Sequence, residues 1–499
     1  MAKAFMEAIK ANVRRSRLVN HRIILATLGK LLIGLSLGML LPLIADYVYQ
    51  EGDWPAFLFP ALFTFGVGFF TSKFFQTDEE MSAREGFAIV ACVWVVFTIF
   101  GALPYVFCTN HHSYTDAFFQ TMSGFTTTGS TIFTDIESHS KTILLWGSIT
   151  QWIGGMGIIV LSLAILPVLG IGGMQLFRAE VPGPVSDKLT PRIKDTAKIL
   201  YQTYLVLTLL ECFVLWVLGM DLYAAVCHSL STLSSGGFSP HNASVAHYHS
   251  SWIHFVIILF MFFAGMNFTI HYQCSQFRFS ALWKDSEFKF YLGFTIFVTL
   301  VLMSILMLHG TYIDPFLCFR DALFNTVSLL TTTGFGSADY ETWPSACQAI
   351  LFALFFVGGC AGSTSGGIKV IRHLIFFKFA YQQVNQLLHP KAILNLKVST
   401  QVVRDNVIKG VLGFFVIYMG SFALGTIVIA CTGLDLVTSA SAVASCLGNI
   451  GPGFALVGPT DNFAMISDFG KWVLAFLMLL GRLELFTVMV VLSPAFWRD

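Results

Sequence analysis

Four short segments of the chain carry small residues whose backbone and hydroxyl oxygens could bind a bare cation. They read TTTGST, SSGGFS, TTTGFG and NIGPGF, and they lie around Gly129, Gly236, Gly334 and Gly451. They recur at intervals of roughly 100 residues, as expected for one module copied four times. Carbonyl and hydroxyl oxygens suit a desolvated alkali cation, and no thiolate or imidazole cluster accompanies them that would favour a transition metal. Four such hairpins meeting on one axis could surround the ion.

The first and third copies still align closely. Asp116 to Gly129 reads DAFFQTMSGFTTTG, and Asp321 to Gly334 reads DALFNTVSLLTTTG. The alternative is that the glycines only form tight turns or helix contacts, since glycine is common in membrane helices. Recurrence at four equivalent positions favours a shared role over separate packing roles.

Each hairpin needs an element that carries it into the membrane. A segment of helical length precedes it, such as Asp116–Phe125 or Asp321–Leu330, and an aspartate at its start suits a helix N-terminus. The helix C-terminus then points towards mid-membrane, where its partial negative charge favours a cation. The chain must turn back in extended form, which is tolerated only where the backbone lines a wet pore. Glycine at the turn admits backbone angles closed to other residues.

Composition places these elements in a bilayer. The chain has 499 residues, a mean hydropathy of +0.72, 55% hydrophobic residues and 11% charged residues. The net charge of +1 gives no support for a nucleic-acid partner. Ten scattered cysteines form no Cys-x-x-Cys pair, so we expect them to be packing residues. The first apolar run, Ile23–Ile44, is too long for a signal peptide, and none is expected.

The predicted fold is an all-α polytopic membrane protein with four tandem helix–pore-helix–filter–helix modules in pseudo-fourfold arrangement. Two leading spans precede the modules, which gives ten membrane helices and four half-helices. We assign residues 1–80 to the two-helix segment and residues 81–185, 186–283, 284–396 and 397–499 to the four modules, the third with a broken helix. The predicted spans are Ile23–Ile44, Trp54–Phe70, Gly86–Phe107, Ile143–Leu169, Leu200–Met220, Trp252–Ile270, Phe288–Leu308, a broken span from Ala346, Val407–Ala430 and Trp472–Leu492.

Basic residues predict the orientation, because short loops rich in Lys and Arg stay cytoplasmic. The hairpin-bearing loops carry acids instead, including Asp135, Glu137, Asp339, Glu341 and Asp461. Both termini are therefore expected in the cytoplasm. The acids near the mouth, Asp135, Glu137 and Asp339, could concentrate cations or simply be solvated. The basic residues on the other side are Lys3, Lys10, Arg14, Arg15, Arg17, Arg22, Arg178, Lys188, Arg192, Lys194, Lys198, Arg278, Lys284, Lys289, Lys378, Lys391, Lys397 and Arg404.

The second span of the third module is interrupted by ten small residues. Such a stretch is a poor helix, and broken helices at membrane depth belong where they line a cavity. We expect it beneath the hairpins, where it would obstruct them; the alternative is a close-packed helix contact. A phosphate-binding P-loop is rejected, because Lys369 follows Gly-Ile and no Gly-Lys-Ser/Thr ending is present. The ten residues are Gly358, Gly359, Cys360, Ala361, Gly362, Ser363, Thr364, Ser365, Gly366 and Gly367.

Arg482 lies in the middle of the last predicted span, LMLLGRLELFTVMVV. A charge there usually faces a cavity or a partner. It could project below the hairpins as a fixed positive barrier and hydrogen-bond loop carbonyls, or form an ion pair with Glu211 or another acid. Glu484, two residues on, would face away on a continuous helix. Glu211 is otherwise expected to be an interior hydrogen-bonding acid, and His254 a packing residue.

These motifs together resemble the TrkH family of bacterial Trk potassium uptake systems, within the Trk/Ktr/HKT superfamily. The resemblance covers the four hairpins, the GGCAGSTSGGIK segment, the loop GGMQLFRAEVPGP and the two leading spans. It implies potassium selectivity in a bacterial inner membrane, with the small-residue segment as gate and Arg482 beside it. The implied filter residues are Thr127, Thr128, Gly129, Ser234, Ser235, Gly236, Thr332, Thr333, Gly334, Asn449, Ile450 and Gly451.

The resemblance also implies partners. It implies a homodimer and a cytoplasmic nucleotide-binding TrkA ring, which we expect at the basic loops. The chain itself has no GxGxxG after a strand, so no bound organic cofactor is expected, and K+ is the transported substrate. The filter differs from the channel sequence TVGYG, and the fourth hairpin has Asn449-Ile450 for Thr-Thr, so strict exclusion of Na+ is not expected and Rb+ should pass.

Three functions can be compared at this point. Channel-like conduction follows from the hairpins and the obstructing loop. A secondary symporter coupled to H+ or Na+ has one weak indication, the intramembrane acid Glu211. An enzyme has no metal triad, nucleophile elbow or cofactor motif to support it.

Overall fold

The structure is a computed structural model that describes residues 19–77, 79, 81–164, 193–390, 395–399 and 401–497. The predictions for residues 1–18 of the basic N-terminus, for the end of the span Ile143–Leu169, for the loop at residues 172–184, and for Lys188, Arg192 and Lys391 lie outside these residues. The helices are α1 (His21–Gly38), α2 (Leu43–Tyr49), α3 (Trp54–Phe74), α4 (Ala83–Gly101), α5 (Leu103–Phe107), α6 (Tyr114–Phe125), α7 (Lys141–Ala164), α8 (Ile193–Val217), α9 (Leu222–Leu233), α10 (Ser251–Ala264), α11 (Phe268–Ser275), α12 (Ser280–Lys284), α13 (Ser286–Leu308), α14 (Pro315–Leu330), α15 (Ser345–Leu354), α16 (Val370–Leu388), α17 (Asp405–Ala430), α18 (Leu436–Gly448), α19 (Asp468–Arg482), α20 (Phe486–Leu492) and α21 (Pro494–Trp497).

One pattern of elements repeats four times along the described chain. A half-helix (α6, α9, α14 or α18) is followed by an extended hairpin, a short 3-10 turn and a second helix (α7, α10, α15 or α19). The only strands in the described part are a two-residue antiparallel pair, β1 (Lys397–Val398) and β2 (Gln401–Val402). The four 3-10 turns are Ile136–Ser138, Ser244–His247, Tyr340–Thr342 and Ala455–Val457.

The half-helices lie at the centre and the longer helices surround them. All residues from Ala117 to Phe125 in α6 are buried. By contrast, α8 exposes large apolar side chains such as Val206, Leu209 and Phe213, each at 58% or more. A soluble protein would not expose such a face along a whole helix, so this surface is suited to lipid.

The two leading helices cross at glycines. A methyl group on Gly29 would lie 2.8 Å from the carbonyl oxygen of Gly68, and one on Gly68 would lie 2.8 Å from the oxygen of Gly29. Small residues at such a crossing allow two membrane helices to approach closely. The two predicted leading spans therefore form a tightly packed pair, α1 with α3.

Membrane-spanning helices are present, but two predicted spans are broken. Among the described residues, six helices are long and apolar enough to cross a membrane, and two bent pairs would raise this to eight. The predicted continuous spans Trp252–Ile270 and Trp472–Leu492 are wrong in this respect, because the chain bends by 106° between α10 and α11 and by 114° between α19 and α20. At the second bend, Glu484 and Leu485 both have positive φ. Neither is a glycine, so residue type alone does not indicate the bend.

The half-helices begin earlier than predicted. Tyr114 and Pro315 start α6 and α14, so Asp116 lies in the first turn and Asp321 in the second, and neither is the N-cap. The actual caps are still oxygen-bearing side chains, as helix N-termini require. The caps and the backbone N–H groups from which they accept are Ser113 (Asp116, 3.1 Å), Asp221 (Tyr223, 3.1 Å), Asp314 (Phe316, 2.8 Å) and Asp435 (Thr438, 3.0 Å).

Candidate ion pathway

All four half-helices end in the same way. The first turn residue adopts a left-handed conformation, with φ between 52° and 56°. Its N–H and the next N–H both bond back to carbonyls of the last helical turn, which satisfies groups that would otherwise be orphaned inside the membrane. These left-handed residues are Thr127, Ser235, Thr332 and Asn449.

This geometry corrects the register of the second hairpin. The sequence alignment placed Ser234, Ser235 and Gly236 opposite Thr127, Thr128 and Gly129. The backbone instead places Ser235, Gly236 and Gly237 there, because Ser235 is the left-handed residue and Gly237 has the positive φ. Two adjacent glycines cannot be told apart by residue type alone. In each hairpin, a second residue with positive φ follows two positions after the left-handed one. These residues are Gly129 (87°), Gly237 (80°), Gly334 (81°) and Gly451 (108°).

The four hairpins touch one another in a closed ring. A methyl group added to each positive-φ glycine would meet the carbonyl oxygen of the residue before the equivalent glycine in the next hairpin. This contact runs from the first hairpin to the second, third and fourth and back to the first, which is the predicted pseudo-fourfold arrangement. The pairs are Gly129 with Gly236 O, Gly237 with Thr333 O, Gly334 with Ile450 O, and Gly451 with Thr128 O.

Buried polar side chains brace the ring from behind. Gln151 on α7 donates from Nε2 to Gly236 O (2.6 Å) and accepts at Oε1 from Phe238 N–H (3.1 Å). Asn449 Nδ2 donates to Thr128 Oγ1 (3.0 Å), so the side chain that replaces a threonine in the fourth hairpin binds the first hairpin. Gln151 was missed by sequence reasoning, because a single Gln in an apolar helix gives no sign of its partners.

An open cavity, here called the vestibule, lies at the hairpins. The four positive-φ glycines line it, and Gly236 does not, in agreement with the corrected register. The acids predicted to act at the mouth, Asp135, Glu137 and Asp339, do not line it. Of the other two loop acids, Asp461 lines it, whereas Glu341 accepts a hydrogen bond from Ala455 N–H (2.6 Å). Burial raises the pKa of Glu341. A bonded acid whose burial opposes ionisation does less to attract cations than a solvated one, so Asp461 is the acid best placed to act on ions here.

The small-residue loop (residues 358–367) lies against the ends of the half-helices. The Thr364 hydroxyl is 2.9 Å from Leu233 O at the end of α9 and 2.9 Å from Ser235 Oγ. Gly366 N–H donates to Thr332 Oγ1 (2.6 Å), and a methyl group on Gly366 would lie 2.8 Å from Asn449 Cβ. The loop therefore contacts the second, third and fourth hairpins at their helix ends.

The loop is held from below by the bend between α10 and α11. Cys360 N–H donates to Gly265 O (2.8 Å), and Phe268 N–H donates to Gly362 O (3.1 Å). Asn267 caps α11 by accepting from Thr269 N–H (2.8 Å). The bend that the sequence did not predict is thus the place where the loop docks, since both segments use their unpaired backbone groups on each other.

Arg482 joins the loop to the first module. Only 2% of its surface is exposed; Nη1 donates to Thr364 O (2.7 Å) and Nη2 to Gly154 O (3.3 Å) on α7. Glu211 forms no ion pair with it in the described part of the chain. The interpretation in which Arg482 bonds loop carbonyls therefore matches the geometry, and the ion-pair alternative with Glu211 does not.

Glu484 and His254 have partners of their own. Helix α19 ends at Arg482, so Glu484 lies in the turn after it and pairs with Arg372 on α16 (2.5 Å). The prediction that a helix continues through Glu484 is wrong. His254 donates from Nε2 to Tyr248 O (2.8 Å), as expected of a packing residue.

These features define a class: a polytopic membrane transport protein with four pore modules around one axis. A family model described as "TrkH: Cation transport protein" matches residues 61–498, and the chain belongs to that family. This confirms the predicted family and that the chain is a transporter and not an enzyme.

Individual relatives cover nearly the whole chain. It is 40% identical over 489 residues to the Trk system potassium uptake protein TrkH of Vibrio parahaemolyticus, with 96% of this chain and 100% of the relative covered. It is 38% identical over 487 residues to the protein of that name from Escherichia coli K12, with the same coverage. The crystal structure of the potassium transporter TrkH from Vibrio parahaemolyticus superposes with a TM-score of 0.88 at 37% identity, covering 96% of this chain and 100% of that one. The match confirms the all-α polytopic fold.

Proposed function

We propose that this chain takes up potassium across the bacterial inner membrane by channel-like conduction through the ring of four hairpins. The observation that carries the proposal is the cyclic contact between each positive-φ glycine and the preceding carbonyl of the next hairpin. Such a ring fixes four sets of oxygens at one depth, as a filter that replaces the hydration shell of an ion requires. Relatives of 38–40% identity bear the name of potassium uptake proteins.

The filter residues in this proposal follow the corrected register. A ring of oxygens spaced to replace the hydration shell of K+ or Rb+ compensates less well for the dehydration of Na+, which is smaller and more strongly hydrated. Exclusion of Na+ is incomplete, because the four hairpins differ in sequence and the ring is only pseudo-fourfold: Gly236 and Ile450 stand where the first and third hairpins have Thr128 and Thr333. The filter residues are Thr127, Thr128, Gly129, Ser235, Gly236, Gly237, Thr332, Thr333, Gly334, Asn449, Ile450 and Gly451.

The small-residue loop and Arg482 act as the gate in this proposal. The loop crosses the ends of three half-helices, and the guanidinium adds a positive charge at the same level. Opening requires Thr364 to leave its partners, and a charged hydrogen bond such as that from Arg482 contributes about 1.5–3 kcal/mol to stability. The present arrangement is the closed one.

A symporter coupled to H+ or Na+ remains the second candidate. Glu211 on α8 is fully buried, and a buried intramembrane carboxyl is the kind of group that carries protons in transporters. A reversal potential set by the K+ gradient alone supports conduction, whereas a reversal potential that shifts with pH supports coupling.

Partners are proposed by family likeness. We propose that the chain forms a homodimer and binds a cytoplasmic nucleotide-binding TrkA ring through its basic loops, with both termini cytoplasmic. Co-purification of the two proteins, and its loss at high ionic strength, tests the contact, since exposed charge pairs are screened by salt.

The test of filter and gate is Rb+ uptake in a bacterium that lacks its own potassium uptake systems. The intact chain is expected to restore growth at low potassium. Gly334→Ser is expected to reduce K+ over Na+ discrimination, since φ is +81° and Ile450 O leaves no space. Arg482→Met is expected to raise basal uptake several-fold, because it releases the loop.

A matched control for Arg482 is Arg320→Met. Arg320 is also little exposed (13%), but it pairs with Asp321, outside the loop. Its loss should leave uptake unchanged or lower. Equal uptake by the intact chain, Gly334→Ser and Arg482→Met contradicts the proposed filter and gate.

A further inference from the structure

Three metal-ligating side chains come together at the rim of the vestibule. Glu137, His241 and His247 each offer a ligand atom, and these atoms all lie within 4.8 Å of one another. His241 Nδ1 is 3.2 Å from Glu137 Oε1, and the two imidazoles stack with their centroids 3.8 Å apart. Among the described residues, these three form the group of His, Cys, Asp or Glu side chains that lies close enough together to hold a metal ion. The proposed filter and gate do not include any of the three.

The three side chains come from two modules. Glu137 lies on the 3-10 turn after the first hairpin, and His241 and His247 lie before and on the turn after the second. Ser244, with φ of +51°, turns the chain so that His247 returns onto His241, and Ser244 N–H donates to His241 O (3.0 Å). Tyr248 stands edge-on to both rings, at 5.6 and 5.1 Å. The backbone therefore holds the two imidazoles together.

We propose that Glu137, His241 and His247 form a binding site for a divalent transition metal, best fitted to Zn2+, and that its occupation inhibits cation entry. Two imidazoles and one carboxylate are a known zinc ligand set, which leaves a fourth position for water. Imidazole nitrogen does not suit K+, so the site discriminates against the transported ion.

The geometry requires only side-chain movement. With metal–ligand bonds of about 2.0–2.2 Å, tetrahedral ligand atoms lie about 3.3 Å apart. The His241–Glu137 pair already has this separation. His247 and Glu137 are exposed, so their side chains can rotate to close the third distance.

Occupation would affect ions because of where the site lies. His241 lines the vestibule together with the filter glycines. Binding of Zn2+ changes the charge of this rim from −1, on the Glu137 carboxylate, to +1, which repels incoming cations within a Debye length of about 8 Å at physiological ionic strength. The turn is also tied to the third hairpin, since Ala246 N–H donates to Gly336 O (3.1 Å). The metal would thus join the outer loops of modules one and two beside the filter.

The experiment measures zinc binding and transport separately. Zn2+ binding to the purified full chain is measured by calorimetry, and Rb+ uptake is measured in cells over a range of external Zn2+. One Zn2+ per chain is expected, and His247→Gln and Glu137→Gln should each weaken binding at least tenfold and raise the half-inhibitory Zn2+ concentration equally. The inhibitory effect rests on the proposed function, whereas the binding measurement does not.

Two controls test whether other histidines are responsible. His249→Gln removes an exposed histidine of the same loop outside the cluster, and His112→Gln removes one member of the stacked His112–His139 pair. Both should leave zinc affinity unchanged. Equal affinity in all variants, or loss only in His112→Gln, overturns the site. If zinc binding depends on His247 but Rb+ uptake does not change with external Zn2+, the inhibitory role is overturned.

Discussion

In the second hairpin, Gly237 is the glycine with positive φ, and its position sets which backbone oxygens of this hairpin face the ring. Gly236 has an ordinary φ, and a methyl group on it would meet the side chain of Gln151. Gly237 has φ of +80°, and a methyl group on it would meet backbone, Thr333 O. A side chain can rotate away, but the neighbouring hairpin cannot move without opening the ring.

Gly237→Ala and Gly236→Ala therefore should differ. A left-handed conformation costs an L-residue roughly 1–2 kcal/mol, and the overlap with Thr333 O adds to it, so Gly237→Ala is expected to lower Rb+ uptake at least tenfold. Gly236→Ala should retain most uptake, at the cost of the Gln151 hydrogen bonds. Initial rates at matched surface expression measure both, and a larger loss in Gly236→Ala would restore the register first drawn from sequence.

Sequence reasoning succeeded where residue type alone decides. An arginine in an apolar span must find acceptors, and Arg482 was therefore placed correctly against loop carbonyls. Sequence reasoning failed where the partner of a residue is distant in the chain, and where two neighbouring residues are identical, as Gly236 and Gly237 are. Asp321 aligns with Asp116, yet it pairs with Arg320, whereas Asp116 pairs with Lys471. Nothing in the repeat distinguishes these outcomes.

The small-residue loop has no regular structure, and one side chain ties it to the first turn of the helix that follows, α16. Glu287, in the first turn of α13, accepts at Oε1 from Ala361 N–H (2.7 Å) and from Ile371 N–H (3.2 Å). The sequence predicted the span Phe288–Leu308 but no role for Glu287, because an acid near a helix N-terminus is common. The broken segment itself was predictable from its ten small residues.

Glu287→Ala is expected to loosen the loop. Each buried N–H left without an acceptor costs about 1–3 kcal/mol, so thermal stability should fall and basal Rb+ uptake should rise, as for Arg482→Met. Glu287→Gln keeps an acceptor oxygen of the same shape and should show a smaller rise. Elution of the purified protein as a single peak controls for misfolding. Lower stability with unchanged uptake would mean that the loop does not limit transport.

The whole molecule depends on closing a ring of four modules that are linear in the chain. The first and fourth modules are furthest apart in sequence, and their contact includes an ion pair between Lys471 Nζ on α19 and Asp116 Oδ1 on α6, at 2.5 Å. Lys471 is 6% exposed and Asp116 is 25% exposed at the side chain. The same interface carries Phe118 against Trp472, with ring centroids 4.4 Å apart. The pair thus stands where the ring would open.

Breaking one partner should cost more than removing both. Asp116→Asn leaves the Lys471 charge buried, which is expected to lower stability by about 1–3 kcal/mol, because an unpaired buried charge loses both solvation and partner. Asp116 also bonds Ser113, so the single change is not specific to the ion pair. Combining Asp116→Asn with Lys471→Met isolates the coupling, and we expect the double variant to be more stable than Asp116→Asn alone.

Melting of the purified protein in detergent measures this coupling, and K+ over Na+ discrimination reports whether the ring stays closed. The matched control is the Arg320–Asp321 pair, whose partners are adjacent within the third module. The coupling in its cycle should change stability without changing discrimination, because the ion pair lies within one module; Arg320 also donates to Ser251 Oγ in the second module (3.1 Å), a contact that cancels in the cycle. If the Asp116–Lys471 variants lose stability but keep K+ over Na+ discrimination, the hairpin contacts themselves keep the ring closed. If both stability and discrimination fall, the ion pair helps to hold the first and fourth modules in register.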